Sequence, residues 1–197
     1  MRNVISAVCI KCGAEIEPKP NITVCPHCGG LMDIKYDYKY ISSRVSPSDI
    51  KERRDYSMWR YREFLPVEES TPNTPLRVGW SPFYEVPKLA EIIGIKKLWI
   101  KDDGINPTAS LKDRASAMAV AKAYEAKADT IACSSTGNAA SSLAGNAAAA
   151  GYKTYIFVPS RAPKGKVAQL MIFGANVISV QGSYEETFRL SAEAIDR

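Results

Sequence analysis

The stretch TIACSSTGNAASSLAGNAAAAGYKTYIFVPS, residues 130–160, carries the pattern on which the fold depends. It begins with a short apolar run, Thr130 to Cys133, and ends with a second one, Thr154 to Val158. Between them lies an Ala-rich, helix-forming segment from Asn138 to Ala150. Short apolar runs joined by a helix are typical of a β-α-β unit. The stretch therefore predicts two parallel strands connected by a helix.

The same alternation of helix and strand continues on both sides of residues 130–160. Apolar periodicity and Gly or Pro stops predict further elements at Val86 to Ile93, Lys97 to Lys101, Ala115 to Lys127, Lys164 to Phe173 and Asn176 to Val180. Another helix starts at Ser183, because Ser183 and Glu186 have the spacing of a capping box. Right-handed crossovers join successive parallel strands. We therefore predict an α/β fold with a three-layer αβα domain around a mostly parallel sheet.

The sequence divides into three segments. Residues 1–38 contain two cysteine pairs and predict a zinc ribbon. Residues 39–85 are polar and rich in proline, and we interpret them as a connector and N-terminal arm with a helix over Ser48 to Arg62. Residues 86–197 correspond to the αβα domain. Because Arg197 lies inside the last predicted helix, we expect the chain to be a truncated part of a longer protein.

Composition limits the classes of function. A chain of 197 residues with 46% hydrophobic and 24% charged residues is typical of a globular protein and not of a disordered or fibrous one. The net charge of +5 is scattered, so we expect no nucleic-acid partner, although small anionic substrates are compatible with it. No apolar stretch approaches the roughly 18 to 20 residues that span a bilayer, so we expect no membrane partner. The N-terminus lacks a secretory signal, which predicts a cytoplasmic protein.

The cysteines are spaced for metal binding. The pattern C-x2-C-x12-C-x2-C is formed by Cys9, Cys12, Cys25 and Cys28. Two such pairs can supply four thiolates to a tetrahedral, structural Zn²⁺. The twelve-residue gap is short for such a site, but a hairpin can span it. The alternative, a thioredoxin-like redox site, needs a single pair on a helix after a strand, so zinc is favoured.

The remaining cysteine and the histidine are assigned no chemistry. His27 is the only histidine, which excludes multi-histidine metal centres and leaves a lysine as the expected nitrogen base. It lies between Cys25 and Cys28 and is expected to point away from a metal. Cys133 is predicted to be a small buried hydrophobe at the end of a strand.

Lys112 is the candidate nitrogen base. It belongs to the run NPTASLKDR, residues 106–114, between a predicted strand and a helix. The capping-box spacing of Ser110 and Asp113 predicts that Lys112 lies in the first helical turn, where the helix dipole disfavours an ammonium group. That position, together with partial burial, would favour the neutral amine that reacts with aldehydes. The alternative is a solvated lysine at the start of a surface helix.

A second motif follows the first strand of residues 130–160. The turn SSTGN, residues 134–138, precedes a helix, and Gly137 permits a close approach of a ligand to the backbone. N–H groups at a helix start bind carboxylate or phosphate. In parallel sheets, ligands bind at the carboxyl ends of the strands, where this turn and Lys112 are both expected.

Several motifs, spread along the whole sequence, together indicate a resemblance to a known family. They are Asn106 to Arg114, Ser134 to Asn138, Val158-Pro159 with Lys166, Gln169, Gly174-Ala175 and Gly182, and the leader ending in Asp33 to Tyr38. Together they resemble threonine synthases, which belong to the fold-type-II pyridoxal-phosphate enzymes and share the fold of tryptophan synthase β. The resemblance covers residues 5–197 and corresponds to the first half of a typical family member.

The resemblance implies a role for each motif. Lys112 would bind pyridoxal 5'-phosphate covalently and carry protons, and Asn138 would hydrogen-bond the cofactor's 3′-oxygen. The implied substrate-binding residues are Ser110, Ser135, Thr136 and Gly137. The implied reaction converts O-phospho-L-homoserine and water to L-threonine and phosphate. Fold-type-II enzymes are commonly dimers, so a homodimer is expected.

The sequence also departs from the family pattern. Leu111 stands where the family prefers Phe, Ala109 and Ala115 stand where Gly is usual, and residues 70–76 replace a Gly-rich acidic stretch. The family's cofactor-phosphate and substrate-phosphate residues come later than Arg197, so we expect this chain alone to be inactive. The alternatives are a related enzyme of β-replacement or elimination, such as cysteate synthase or threonine dehydratase, and a zinc-ribbon binding module.

Overall fold

The computed structural model describes residues 1–19, 22 and 24–195, and it divides the chain into two compact units. The first unit consists of Met1–Asn73 with Ala121–Asp129. The second consists of Thr74–Val120 with residues 130–195.

The first unit begins with a small antiparallel sheet. Its strands are β1 (Val4–Cys9), β2 (Glu15–Ile16) and β3 (Met32–Tyr36). β1 is central, with Ala7 opposite Ile16 on one side and Ile34 on the other. The pairing of Cys9 with Met32 brings the end of β1 next to the start of β3. This sheet supports the two turns that carry the cysteine pairs.

Two short helices follow the sheet. α1 (Tyr38–Arg44) begins after Asp37, whose side chain accepts the N–H of Tyr40 at 2.9 Å. α2 (Pro47–Glu52) begins with a capping box between Ser46 and Asp49. Both starts satisfy backbone N–H groups that a helix cannot pair internally. A 3₁₀ helix, Met58–Phe64, completes this part of the unit.

The predicted helix over Ser48 to Arg62 is wrong. α2 ends at Glu52, and the 3₁₀ helix starts six residues later at Met58. The reason is Arg60, which is 5% exposed and turns its guanidinium toward the intervening backbone. Its hydrogen bonds go to the carbonyl oxygens of Ile50, Lys51, Arg53 and Asp55. The buried Arg60 guanidinium thus donates to carbonyl oxygens that backbone N–H groups would have paired in a continuous helix.

The second unit starts with a strand pair. β4 (Phe83–Glu85) pairs antiparallel with β5 (Trp99–Lys101), and α3 (Pro87–Ile92) connects them. The predicted helix from Val86 to Ile93 is confirmed within one residue at each end. The strand predicted from Lys97 is two residues shorter at its start, and β4 was not predicted. A short 3₁₀ helix, Asp103–Ile105, follows β5.

The rest of the second unit confirms the predicted α/β fold. Its elements are α4 (Asp113–Glu125), β6 (Thr130–Ser134), α5 (Asn138–Ala149), β7 (Lys153–Pro159), α6 (Lys164–Ile172), β8 (Asn176–Val180) and α7 (Tyr184–Ile195). α4 also continues into the residues of the first unit. The three strands are parallel in the order β6-β7-β8. The β-α-β unit predicted from residues 130–160 is therefore present.

Helices cover both faces of the parallel sheet. α5 and α6 contact each other and the sheet, as right-handed crossovers require. α7 contacts β6 and β7, the strands that α5 also covers, so it lies on the opposite face. The core between the sheet and α5 and α6 contains Ala140, Ala144, Ile156, Val158, Leu170 and Ala175. This packing fixes α5, and with it the turn that precedes the helix.

The capping box at the start of α7 is confirmed, because the N–H of Ser183 donates to Glu186 Oε2 at 2.6 Å and the N–H of Glu186 donates to Ser183 Oγ at 3.2 Å. Among the described residues, no helix has the length and apolar character needed to cross a bilayer.

Candidate functional site

The two cysteine pairs converge as the spacing predicted. The four sulfur atoms of Cys9, Cys12, Cys25 and Cys28 lie within 4.8 Å of one another. Cys9 Sγ is 3.5 Å from Cys28 Sγ, and Cys12 Sγ is 3.7 Å from Cys25 Sγ. Four sulfurs at Zn–S distances of about 2.3 Å in a tetrahedron are about 3.8 Å apart. The cluster therefore has the size of a tetrahedral zinc site.

Glycines shape both cysteine turns. Gly13 and Gly29 have φ angles of +73° and +68°, which non-glycine residues rarely adopt. Their N–H groups donate to the carbonyl oxygens of Cys9 and Cys25 at 3.0 and 2.9 Å, which closes each turn around its sulfurs. A Cβ on Gly30 would lie 2.9 Å from Cys9 Sγ. The backbone around the cluster is thus fitted to four sulfur atoms.

The electrostatics of the cluster favour a cation. The backbone N–H of Cys12 and then that of Lys11 outweigh desolvation and lower the pKa of Cys9 to about 6. The N–H of Gly30 favours the thiolate of Cys28, but the neighbouring thiol of Cys12 and burial together raise the pKa of Cys28 to about 12. One thiolate thus forms readily while another resists ionisation beside it. A divalent cation compensates for several thiolates at once.

His27 and Cys133 lie outside the cluster. His27 is exposed, and the cluster consists of the four sulfurs. Cys133 packs against the core of the parallel sheet as predicted, although it is only partly buried. Burial raises the pKa of the Cys133 thiol.

Lys112 lies directly before α4. Its carbonyl oxygen accepts the N–H of Ser116 at 2.9 Å, and its own N–H donates to Ser110 Oγ at 3.1 Å. Lys112 is therefore the N-cap residue, one position before the predicted helical turn. The side chain is exposed, so the expected partial burial is not present in the described structure.

The predicted capping box between Ser110 and Asp113 is wrong. Asp113 is fully buried, and its carboxylate turns away from the Ser110 backbone. It accepts the N–H of Thr108 at 2.9 Å and the Thr108 hydroxyl at 2.8 Å. It also accepts Ser142 Oγ at 3.0 Å and Asn146 Nδ2 at 2.7 Å, both from α5. Local spacing could not reveal this, because the decisive donors lie on another helix.

The loop before Lys112 is strained at one residue. Ala109 has a φ angle of +57°, in the left-handed region where Cβ crowds the backbone. Its N–H donates to the carbonyl oxygen of Asn106 at 2.8 Å, which closes a tight turn. Glycine has no Cβ and adopts this φ angle without strain, which explains why the family that the sequence resembles usually has glycine at this position.

A second set of contacts holds the other side of the loop. Arg114 pairs with both carboxylate oxygens of Asp103, at 2.9 and 2.8 Å. Hydrogen bonds from Arg114 and then from Ser81 lower the pKa of Asp103 to about 2. Asn106 Oδ1 accepts the N–H of Gly79 at 2.9 Å. Hydrogen bonds and an ion pair thus hold residues both before and after Lys112.

The turn between β6 and α5 leaves its N–H groups near the sheet edge. Asn138 is the first residue of α5, and Gly137 is the N-cap. The N–H of Gly137 donates to Ser135 Oγ at 3.2 Å. Ser135, Thr136 and Gly137 are partly buried, whereas Asn138 is exposed. A helix start at the carboxyl end of a parallel strand is suited to an anionic group.

The structure brings the lysine loop to the helix that Asn138 begins. Ser142, which donates to Asp113, lies one helical turn after Asn138. The residue next to Lys112 is therefore bonded to the first half of α5. The loop that contains Lys112 is thus linked through α5 to the turn of residues 135–138.

Three residues close to this loop or turn were not assigned a role from the sequence. Asp113 is the first. Lys166 is the second, and its Nζ donates to Asn138 Oδ1 at 3.3 Å. Ser134 Oγ is buried and unpaired among the described residues. A signal for Lys166 was available, since the first turn of a helix after the next parallel strand reaches the same edge.

Comparison with known proteins identifies relatives of both units. Residues 74–197 match the family described as pyridoxal-phosphate dependent enzyme. The threonine synthase of Methanocaldococcus jannaschii is 39% identical over 179 residues, which are 90% of this chain and 44% of the relative. The threonine synthase of Methanosarcina acetivorans is 41% identical over 183 residues, which are 92% of this chain and 44% of the relative. The chain thus spans less than half the length of these curated relatives.

A solved structure shows the same fold. O-acetyl serine sulfhydrylase isoform 3 of Entamoeba histolytica matches with a TM-score of 0.55 and 24% identity, over 60% of this chain and 38% of the other. At this identity the similarity concerns the fold alone.

Proposed function

This chain belongs to the family of pyridoxal-phosphate dependent enzymes, and it has the α/β fold of the fold-type-II members. From this premise we propose that it is the N-terminal part of a threonine synthase, which converts O-phospho-L-homoserine and water to L-threonine and phosphate. The observation that carries the proposal is the 39–41% identity to two threonine synthases over 90–92% of the chain. A match of that extent includes residues of the cysteine segment as well as of the αβα segment. A related enzyme of elimination or replacement, or a binding module, explains this similarity less well.

Lys112 is the proposed cofactor lysine. Its exposed side chain is accessible to an aldehyde, and the hydrogen-bonded residues on both sides restrict its backbone. Bound pyridoxal phosphate would supply an electron sink that makes the Cα and Cβ protons of the substrate acidic. The Lys112 amine would then remove and return protons at its Nζ atom.

The turn before α5 is the proposed binding site for cofactor and substrate polar groups. Asn138 would donate its amide to the 3′-oxygen of the cofactor, and Ser110 would shape the pocket. The hydroxyls of Ser135 and Thr136 and the backbone at Gly137 would bind the substrate carboxylate. The unpaired, buried Ser134 Oγ at the same turn is consistent with a polar ligand here. The helix start of α5 adds a favourable dipole.

The cysteine cluster is a proposed structural zinc site. With Cys9, Cys12, Cys25 and Cys28 as ligands, a tetrahedral ion has no open coordination position for a substrate. Zinc would therefore stabilise the ribbon and take no part in catalysis.

Further parts of the proposal concern the whole protein. We divide the chain into a zinc ribbon at 1–38, a connector at 39–85 and an αβα domain at 86–197. The whole enzyme would be a cytoplasmic homodimer with a small anionic amino-acid substrate and without nucleic-acid or membrane partners. The groups that bind both phosphates would come from residues outside this chain, so the chain alone would bind the cofactor weakly and turn over nothing.

The test compares full-length protein, Lys112→Ala, and the 197-residue chain. Full-length protein should form threonine from O-phosphohomoserine and show visible cofactor absorbance, and Lys112→Ala should lose both. Lys51→Ala, which changes an exposed lysine of α2, is the control and should retain both. Threonine formation by full-length Lys112→Ala would contradict the assignment of Lys112 as the cofactor lysine. Turnover by the 197-residue chain would contradict the proposal that activity needs residues outside this chain.

A further inference from the structure

We propose that Asp113 is a positioning residue of the lysine site, and that its buried carboxylate fixes the backbone of Lys112 relative to α5. The inference rests on the proposed function, because it takes Lys112 as the cofactor lysine. It concerns a residue that touches neither cofactor nor substrate in the proposed roles and acts through its neighbour.

The contacts of Asp113 join two segments that carry the proposed site. Thr108, in the loop before Lys112, donates its N–H and its hydroxyl to the carboxylate at 2.9 and 2.8 Å. Ser142 and Asn146 donate from α5 at 3.0 and 2.7 Å. Asp113 is 0% exposed, so these bonds do not compete with water. One side chain thus ties the loop to the helix that starts at Asn138.

The four donors require a carboxylate. Asp113 Oδ2 accepts the N–H of Thr108, and Oδ1 accepts the other three bonds. An ionised carboxylate only accepts, whereas an asparagine would present an NH₂ group to one set of donors. A buried carboxylate whose four hydrogen-bond donors are neutral is costly to desolvate. Four donors on its two oxygens offset that cost, and together they hold the Asp113 side chain between the loop and α5.

The packing around Asp113 limits movement of the loop. Gly145 lies between the two helical donors, and a Cβ there would be 2.7 Å from the Thr108 methyl carbon. Ser116 Oγ and Ser142 Oγ are hydrogen-bonded at 2.7 Å, which joins α4 to α5 one turn after Lys112. Because the carbonyl of Lys112 accepts the N–H of Ser116, this bond extends the restraint to Lys112 itself.

The test uses full-length protein with Asp113→Asn and Ser142→Ala. Ser191→Ala is the control, because Ser191 is also a buried helical serine, and its hydroxyl donates to the Phe188 carbonyl at 2.7 Å within α7, away from Asp113. Three quantities are measured: thermal stability, the rate at which an amine reagent labels Lys112 relative to Lys88 in the cofactor-free protein, and kcat and KM. Lys88 lies in α3 and is an exposed internal reference.

Misplacement of a reacting group by about 1 Å can cost about 100-fold in rate, so Asp113→Asn should lower kcat by about 10- to 100-fold with a smaller change in KM. It should also change the relative labelling rate of Lys112 by at least about threefold, in line with a displaced backbone. Ser142→Ala should produce the same changes in reduced form. Ser191→Ala should leave the labelling ratio and kcat unchanged while lowering stability, because it removes a buried hydrogen bond that is remote from Lys112.

The outcomes separate this inference from the proposed function. If Asp113→Asn and Ser142→Ala lose stability but keep the wild-type labelling ratio and kcat, Asp113 is merely structural and the inference is wrong. If Asp113→Asn does not fold, the labelling ratio and kcat of Ser142→Ala, compared with those of Ser191→Ala, test the inference alone. If wild-type protein forms threonine without cofactor attachment at Lys112, the assignment of Lys112 is wrong and the inference fails with it, whereas the proposed reaction stands.

Discussion

The cysteine cluster is held by contacts between residues close in sequence, whereas the loop before Lys112 is held by contacts between residues far apart in sequence. In the cluster, each turn is closed by a bond between residues four apart, Cys9 to Gly13 and Cys25 to Gly29. Next to Lys112, Asp113 bonds to Ser142 and Asn146, which are 29 and 33 residues away. The cluster is thus shaped by its own turns, whereas the lysine loop takes its shape from a helix elsewhere in the fold.

This difference has an energetic consequence. Short turns in a small antiparallel sheet bury little apolar surface, so the proposed zinc ion would supply much of the stability of the cysteine segment. The loop before Lys112 packs against α5 and depends on buried hydrogen bonds and close packing. The two regions should therefore respond to different perturbations.

The largest effect is expected from Cys25→Ser. Structural zinc contributes about 10 kcal/mol or more to the folding of zinc-finger peptides, so losing one ligand should unfold the ribbon. Bound zinc should fall from stoichiometric to near zero by metal analysis, and the amide NMR signals of β1 and β3 should collapse to unfolded positions. Cys133→Ser is the control and should retain its zinc, because Cys133 lies outside the cluster. Wild-type zinc content in Cys25→Ser would show that the cluster is not the metal site.

A substitution at Gly145 examines the long-range packing of the lysine loop. An added Cβ would lie 2.7 Å from the methyl carbon of Thr108, whose hydroxyl is held by Asp113. Overpacking of this kind costs about 1–3 kcal/mol, so Gly145→Ala should lower the free energy of unfolding by that amount in urea titrations. Gly165→Ala in α6 meets no atom within 4 Å and should raise it by about 0.5–1 kcal/mol. Equal effects at the two glycines would contradict the packing described.

Ala109→Gly should be stabilising. Relief of the left-handed backbone at φ +57° is worth about 1 kcal/mol, measured as a rise in the free energy of unfolding. Ala119→Gly, at an exposed position inside α4, should instead lower it by about 1 kcal/mol. A loss of stability in both variants would mean that the loop does not require the left-handed conformation.

The smallest effect concerns acid stability. The pKa of Asp103 is lowered to about 2 by its hydrogen bonds with Arg114 and Ser81, so this carboxylate stabilises the fold above its unfolded value near 3.8. That contribution is lost as the pH falls from about 4 toward 2. Arg114→Gln should therefore be less stable than wild type at pH 6, and the difference should shrink toward pH 2. A difference that is constant over this range would exclude the Asp103 pair as its source.

The range of the contacts also explains which features the sequence predicted. The cysteine spacing is a local pattern, and the cluster that it predicted is present. The strand from Asn176 to Val180 and the capping box at Ser183 are also local patterns, and both were predicted with the observed residues.

Where distant residues decide the structure, the predictions failed. The helix expected over residues 48–62 is interrupted because the buried Arg60 guanidinium donates hydrogen bonds to the carbonyl oxygens of Ile50 and Arg53. The capping box expected at Ser110 is replaced because Asp113 finds donors on α5. Lys112 was expected to be partly buried, but its side chain is exposed, because burial depends on surroundings in three dimensions. The roles assigned to Lys112 and Asn138 stay predictions.

Hydride trapping on the full-length protein examines the cofactor lysine itself. Borohydride reduction after loading with pyridoxal phosphate should fix the cofactor to a lysine, and peptide mass mapping should find the added mass on the peptide that contains Lys112. Lys112→Ala should carry no such mass. An adduct on another lysine, or none in protein that forms threonine, would contradict the assignment of Lys112.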